Sequence, residues 1–173
     1  MDSLDEARRQ SRRGRRLILV DSKSSITYNT TMKIYEVIID SNVLVTGLRS
    51  ALGASYKLLS LVGKGRFGMN ISVPLLFEYE LALKRDARQS GLNERDIDDI
   101  LNYLCQISRQ HKISYLWRPH LRDPKDDFIL ELAIEAGCDF IITYNKRDFQ
   151  RAESVRLGVL SPYEFLKKIG ELP

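Results

Sequence analysis

The side chains best suited to chemistry in this chain are carboxylates that stand where an apolar strand or helix stripe should have continued. Asp40 closes the run Tyr35-Glu36-Val37-Ile38-Ile39 and is followed by Ser41-Asn42. The carboxyl end of a strand is the rim at which open α/β sheets gather ligands, although a lone acid there also serves as a polar cap on the loop that follows. Glu78 lies three residues after Leu75 and four before Ala82, on the border of a helical stripe, whereas Glu80 pairs with Lys84 at i,i+4 spacing on the outside. Of the two, Glu78 is the acid expected to face inward; the plainer alternative is a solvated edge.

Asp123-Pro124-Lys125-Asp126-Asp127 opens a later helix, with Asp123 at the N-cap and acids in a first turn that suits the helix dipole. The core face Ile129, Leu132/Ala133, Ala136 runs back three residues to Asp126, so helical phase selects Asp126 as the inward acid and leaves Asp127 a position off. Phe140-Ile141-Ile142-Thr143 then leads into Tyr144-Asn145-Lys146-Arg147-Asp148, again at a strand's carboxyl end. If Asn145 starts a helical turn, Asp148 returns to the same side and supplies the charge that an amide lacks. Asp148 is therefore the expected fourth acid and Asn145 a supporting ligand or loop cap; the rival is that Asp148 only caps the turn.

Four such sites on adjoining rims of one sheet would repel one another unless a cation lay between them. Oxygen donors without His or Cys select Mg²⁺ or Mn²⁺ rather than zinc. Ser41, Asn42 and Thr143 are placed to orient ligands or to meet a phosphate. Other chemistries find little support: His111 and His120 form no cluster, and Cys105 and Cys138 sit in apolar contexts without metal-type spacing, as reduced core thiols would. Gly63-Lys64-Gly65-Arg66-Phe67-Gly68 matches a dinucleotide-binding pattern, but it closes a helix and enters a strand, the reverse of the order in which a helix amino terminus meets a pyrophosphate.

The elements that must position these acids follow from periodicity. Strands are expected at Ile34–Ile39, Met69–Val73, Ile113–Trp117, Asp139–Thr143 and Val155–Val159, and helices at Ala51–Val62, from Pro74 to about Arg88, from Glu94 to about Arg109, and at Pro124–Ala136. Asn93 caps the third of these helices, Gly91 and Gly137 act as stops, and Ser161-Pro162 starts a last helix. Strands alternating with helices imply βαβ units, hence a mostly parallel sheet covered on both faces.

A chain of 173 residues, 43% hydrophobic and 29% charged, is the size of one ordinary domain with a proper core. Its net charge of +4 is unevenly spread: residues 1–31 carry seven Lys/Arg against four Asp/Glu, and the remainder twenty against nineteen. Six arginines fall within Arg8–Arg16, so residues 1–31 read as a mobile basic extension and 32–173 as the working domain. The extension is either an arm for phosphate backbones or upstream sequence without a part in the function. No apolar run approaches the ~20 residues of a membrane span, and Leu17-Ile18-Leu19-Val20 is too short for a secretion signal, so a soluble, cytoplasmic chain is expected.

The ordered set Ile38-Ile39-Asp40-Ser41-Asn42-Val43-Leu44, Ser72 to Glu80, Asp123-Pro124-x-Asp126-Asp127-x-Ile129-Leu130-x-x-Ala133 and Ile141 to Phe149 resembles the PIN-domain family, close to its branch of toxin ribonucleases from bacterial and archaeal toxin–antitoxin pairs. The resemblance spans about Met32 to Leu166. It implies a three-layer α/β/α sandwich, an acidic Mg²⁺ or Mn²⁺ site and single-stranded RNA as substrate, with Asp40, Glu78 and Asp126 as first, second and third acids. Many members carry Asp where this chain has Asn145. Candidate partners are RNA, an antitoxin protein and a second copy of the chain, and no membrane. Lys125, Lys146 and Arg147 are candidates to hold an RNA backbone, against the plainer reading of solvated charges.

Two other classes compete. In a phosphoryl-transfer enzyme Asp40 would be a nucleophile, with a second acid two residues on, against which Asn42 argues, or a phospho-acceptor, with an acidic pair before it and a distal lysine; against a non-catalytic PIN-fold adaptor for RNA or protein stands the presence of Asp40, Glu78 and Asp126. Deletion of residues 1–31 should leave the melting temperature nearly unchanged and at most weaken RNA binding in a salt-sensitive way; a large drop in a thermal melt would show that the segment packs into the domain.

Overall fold

Val37, Ile38 and Ile39 have no exposed surface. Successive side chains of a strand point to opposite faces, so three consecutive buried residues require a sheet covered on both sides. In the computed structural model, which describes residues 33–114, 127–155 and 157–173, Tyr35–Pro173 form one compact unit. The 1–31 extension, Lys125, Asp126 and His120 lie outside the described residues.

Strands β1 (Glu36–Ile39), β2 (Gly68–Ser72), β3 (Arg109–His111), β4 (Phe140–Ile142) and β5 (Gly158–Leu160) pair in the order β3-β2-β1-β4-β5, every pairing parallel. Six helices accompany them among the described residues: α1 (Ser41–Arg49), α2 (Ala54–Ser60), α3 (Val73–Ser90), α4 (Glu94–Ile107), α5 (Asp127–Glu135) and α6 (Pro162–Lys168), with a 3-10 segment at Lys146–Val155. This is the α/β fold with a parallel central sheet that the periodicity implies. Because β1 has β2 on one side and β4 on the other, the connections diverge at its carboxyl end and open a crevice between β1 and β4, the position where such sheets bind ligands.

Local chemistry sets the helix ends. Pro74 sits in the first turn of α3, where its missing N–H is not needed, and Gly91 takes the left-handed conformation (φ 74) that ends the helix, donating to the Ala87 carbonyl at 2.9 Å. Asn93 and Asp96 form a capping box on α4, and Ser161 and Glu164 form one on α6. The glycine-rich Gly63–Gly68 stretch lies between α2 and β2, with positive φ at Gly63 and Gly65, and enters a strand rather than a helix.

Five elements differ from expectation. Helix α1 is unexpected, because Val43, Val45, Thr46 and Gly47 are weak helix formers and mask its period. Tertiary packing stabilises it instead: Val43, Leu44 and Gly47 are buried, and a Cβ on Gly47 would come within 2.6 Å of Leu59 Cδ1 on α2. A strand lies at Arg109–His111, where a helix end is expected, and α4 ends earlier, at Ile107; of the strand expected at Ile113–Trp117, Ile113 is in no strand and Tyr115, Leu116 and Trp117 lie outside the described residues. An edge strand has one neighbour and tolerates polar residues; here Arg109 pairs with Glu36, and His111 Nε2 meets Asn70 Oδ1 at 2.8 Å. The last strand begins at Gly158 because the 3-10 segment takes up the chain as far as Val155.

The fifth difference concerns phase. Asp127, expected to lie off the inward face, is 1% exposed. Ile129 through Ala133 are buried too, Glu131 included, so α5 meets protein nearly all round and helical phase cannot separate an inward acid from its neighbour. Asp127→Ala should therefore cost about 1–3 kcal/mol in urea denaturation, the range for removing a buried polar group from its partners; a change within experimental error would show that its burial carries no interaction.

Candidate active site

Asp40 follows β1 directly and precedes α1, with a backbone N–H that still reaches across to the Ile142 carbonyl at 2.9 Å. Its carboxylate is thereby fixed in the crevice between β1 and β4, and it is 7% exposed. Oδ2 accepts from Thr143 Oγ1 at 2.6 Å and from Asn42 Nδ2 at 2.7 Å. Thr143 Oγ1 also accepts from Asn42 Nδ2 at 3.2 Å and from the Asn145 backbone N–H at 2.9 Å, so both its lone pairs are in use and its single proton must go to Asp40. Asn42 Oδ1 in turn accepts from the Tyr144 N–H at 3.3 Å. The network saturates Oδ2 and leaves Oδ1 as the oxygen presented to the site.

On that side stands the Ser41 hydroxyl, 3.4 Å from Asp40 Oδ1 and 3.3 Å from Glu78 Oε1. One hydroxyl proton cannot satisfy two carboxylate oxygens at once, so this edge of the site has an excess of acceptors. Glu78 Oε1 also takes Arg85 Nη2 at 3.3 Å, seven residues on along α3. Tyr79, fully buried beside Glu78, donates its hydroxyl to the Ile39 carbonyl and so pins α3 beneath the end of β1.

Burial pushes the Asp40 carboxyl above its ordinary value of 3.8, against the hydrogen bonds from Thr143, Asn42 and Ser41 that favour the anion. The Tyr79 phenol is pushed well above 10 by its burial and then by the Asp40 charge, so it stays a donor. Cys138 is an unreactive thiol, raised to about 12 chiefly by burial, and both cysteines are free.

Asp40, Ser41, Asn42, Glu78 and Thr143 are thus brought together, and Asn145 joins through its backbone N–H while its side chain lies in an exposed position. Asp148 is half-buried in the following turn, its N–H on the Asn145 carbonyl at 3.0 Å. Lys146 is engaged with Glu164 at the start of α6, and Arg147 is exposed. Among the described residues no group of three or more acidic, His or Cys side chains is placed to hold an ion. The two carboxylates that do converge suit a hard divalent cation in kind, offering oxygen only, an acceptor excess and a buried charge. Tyr79 and Arg85 escaped the sequence reading, although each left a trace: Tyr79 lies four residues after the core Leu75, and Arg85 two turns after Glu78.

Comparison with known proteins gives three findings. The PIN domain family profile matches residues 36–147. No curated protein matches significantly. Among solved structures, the crystal structure of VapBC2 from Rickettsia felis bound to a DNA fragment from their promoter is similar at a TM-score of 0.51 and 15% identity, over 73% of this chain and 99% of that one, a likeness of fold.

The raised Asp40 carboxyl has a consequence for stability. Its charge is disfavoured in the folded state, so its cost to the fold sets in as pH rises through 3.8 and is complete above the folded-state value. Without divalent metal, Asp40→Asn should melt higher than wild type at pH 7, and the advantage should vanish as pH falls below 3.8. Melting curves that keep the same separation at both ends of that range would refute the burial argument.

Proposed function

The chain belongs to the PIN-domain family, and from that premise we propose that it is a Mg²⁺- or Mn²⁺-dependent endoribonuclease that hydrolyses phosphodiester bonds of single-stranded RNA in the cytoplasm. The observation that carries this reading is the pair of carboxylates, Asp40 Oδ1 and Glu78 Oε1, sharing one hydroxyl in the crevice at the strand ends. These two acids, with Asp126 as the third, would hold the metal, and Asp148 with Asn145 would complete its surroundings from the β4 side. The chemistry supplied by a bound divalent ion is a water of lowered pKa and neutralisation of charge on the attacked phosphate.

The remaining work falls to the chain itself. Thr143 and Asn42 hold Asp40 by Oδ2, so Oδ1 keeps one direction while the site is filled and emptied. The Ser41 proton, unable to serve both acids, is available to a phosphate oxygen once either carboxylate is otherwise engaged. Tyr79 stays protonated and fixes the spacing of Glu78 from Asp40 through the Ile39 carbonyl. Lys125 and Arg147 would steady the RNA backbone outside the acidic centre; Lys146, held by Glu164, would first have to leave its partner.

A toxin of a toxin–antitoxin pair is the biological setting this reading favours, with an antitoxin as protein partner and a homodimer as the assembly. Its support is the fold likeness to the VapBC2 structure, a complex bound to promoter DNA. A non-catalytic adaptor is the alternative, and retention of the Asp40–Ser41–Glu78 arrangement argues against it.

Incubation of the purified protein with a mixed RNA pool in Mg²⁺, Mn²⁺ or EDTA, followed by end mapping, tests the proposal. Asp40→Asn should lower cleavage by about a hundredfold or more, because a metal-held carboxylate stabilises charge worth several kcal/mol in the transition state. In Mn²⁺ calorimetry Asp126→Asn and Asp148→Asn should each weaken binding, while Asn145→Asp preserves or strengthens it. Undiminished cleavage in EDTA, or by folded Asp40→Asn, would overturn the assignment.

A further inference from the structure

The basic side chains around the acidic crevice are not equivalent. Arg49 is committed to Asp86, which is 7% exposed and receives both Nε and Nη2 of that guanidinium. Lys84 is held by Glu80 and Lys146 by Glu164. Arg85 differs, because its partner is the candidate metal ligand Glu78, at 3.3 Å, and its side chain is 72% exposed. An exposed pair at that distance is weak and readily exchanged.

Arg85 also lines a cleft between α1 and α3, with Ser41, Asn42, Val45, Ala82 and Asp86. Its volume is about 260 Å³, and it is open to solvent along the side that Arg85 borders. Ser41 and Asn42 bound this cleft and also touch Asp40, so it adjoins the acidic crevice.

We infer that Arg85 exchanges partners during function, neutralising Glu78 while the site holds no metal and passing to a backbone phosphate of the RNA, one removed from the cleaved bond, when a divalent ion takes Glu78. The inference rests on the metal-dependent reading above. A divalent cation and a guanidinium on one carboxylate oxygen repel, and the mostly exposed arginine is the partner free to move. The cleft beside it gives an anion a place to receive that charge, with the Ser41 hydroxyl at its edge. Metal and RNA then strengthen each other's binding by the same factor, because each favours the position of Arg85 that the other requires.

The exchange gives Arg85 effects of opposite sign on its two ligands, which a purely structural residue would not have. The full-length protein, Arg85→Gln and Arg85→Lys are titrated with Mn²⁺ by calorimetry, and their binding of a cleavage-resistant phosphorothioate single-stranded RNA is followed by fluorescence anisotropy with and without Mn²⁺. Removing a cation that competes for Glu78 should tighten Mn²⁺ binding about three- to tenfold in Arg85→Gln. The same variant should lose most of the Mn²⁺-induced gain in RNA affinity, and its slope of log K against log salt should fall by about 0.7, one phosphate contact on a single strand. Arg85→Lys, which keeps the charge without the planar fork, should lie between the two. If wild type binds Mn²⁺ and Arg85→Gln titrates identically, or loses affinity for both ligands, the exchange is overturned and the metal site stands. If the wild-type protein takes up no Mn²⁺, the metal reading itself fails and the exchange with it.

Discussion

A carboxylate held out of water at the end of a central strand is the constraint on which the rest of this structure turns. Asp40 is charged only at a cost, and three features of the fold reduce it: the Thr143 hydroxyl, the Asn42 amide, and a position at the strand terminus rather than within the sheet. Thr143 can serve because β4 lies parallel to β1 in a register that sets Ile142 beside Ile39. Asn42 can serve because α1 begins within one residue of Asp40 and turns its first polar side chains back over the strand end. A shift of β4 by one residue would send the Thr143 hydroxyl to the opposite face of the sheet and leave Asp40 with one fewer donor.

Helix α3 joins this arrangement through two neighbouring residues with different tasks. Tyr79 reaches into the core and bonds the Ile39 carbonyl, while Glu78 stays half-exposed and meets Ser41. The tyrosine anchors the helix and the glutamate faces the crevice, yet one helix turn carries both, so the packing that buries Tyr79 also sets the separation of the acids. Further along, Arg49 joins α1 to α3 through Asp86, a second clamp on the same pair of helices. The crevice is thus bounded by elements that are tied together on its own flanks.

How far the sequence discloses this depends on which forces were in play. The β1 run, the stop at Gly91, the Asn93 cap and the parallel sheet were legible, because local propensity, turn chemistry and period agree there with the fold. Helix α1 was not, since β-branched residues and Gly47 hide a period that only contact with α2 and α3 makes favourable. Strand β3 was missed because an edge strand built of Arg109, Gln110 and His111 has no apolar signature. Asp127 was misread because phase distinguishes residues only where one side of a helix meets water, and α5 has almost no such side. At the site, Asp40 and Glu78 could be singled out as acids out of place in apolar patterns. The hydrogen-bonding role of Thr143 could be suspected, but that its donor direction is dictated by two occupied lone pairs could not be read from one strand alone.

The hydrogen bond from Thr143 to Asp40 spans 103 positions of the chain. At about 5–20 residues per second of synthesis, the carboxylate is made roughly 5–20 s before the hydroxyl that steadies it. Throughout that interval the emerging chain carries Asp40, Ser41, Asn42 and then Glu78, but not the strand that closes the crevice beside β1. Products that stop short of β4, whether from interrupted translation or from proteolysis, would contain acids without the geometry that gives them a purpose. The site is therefore guarded by chain order itself, which withholds assembly until β4 has been made.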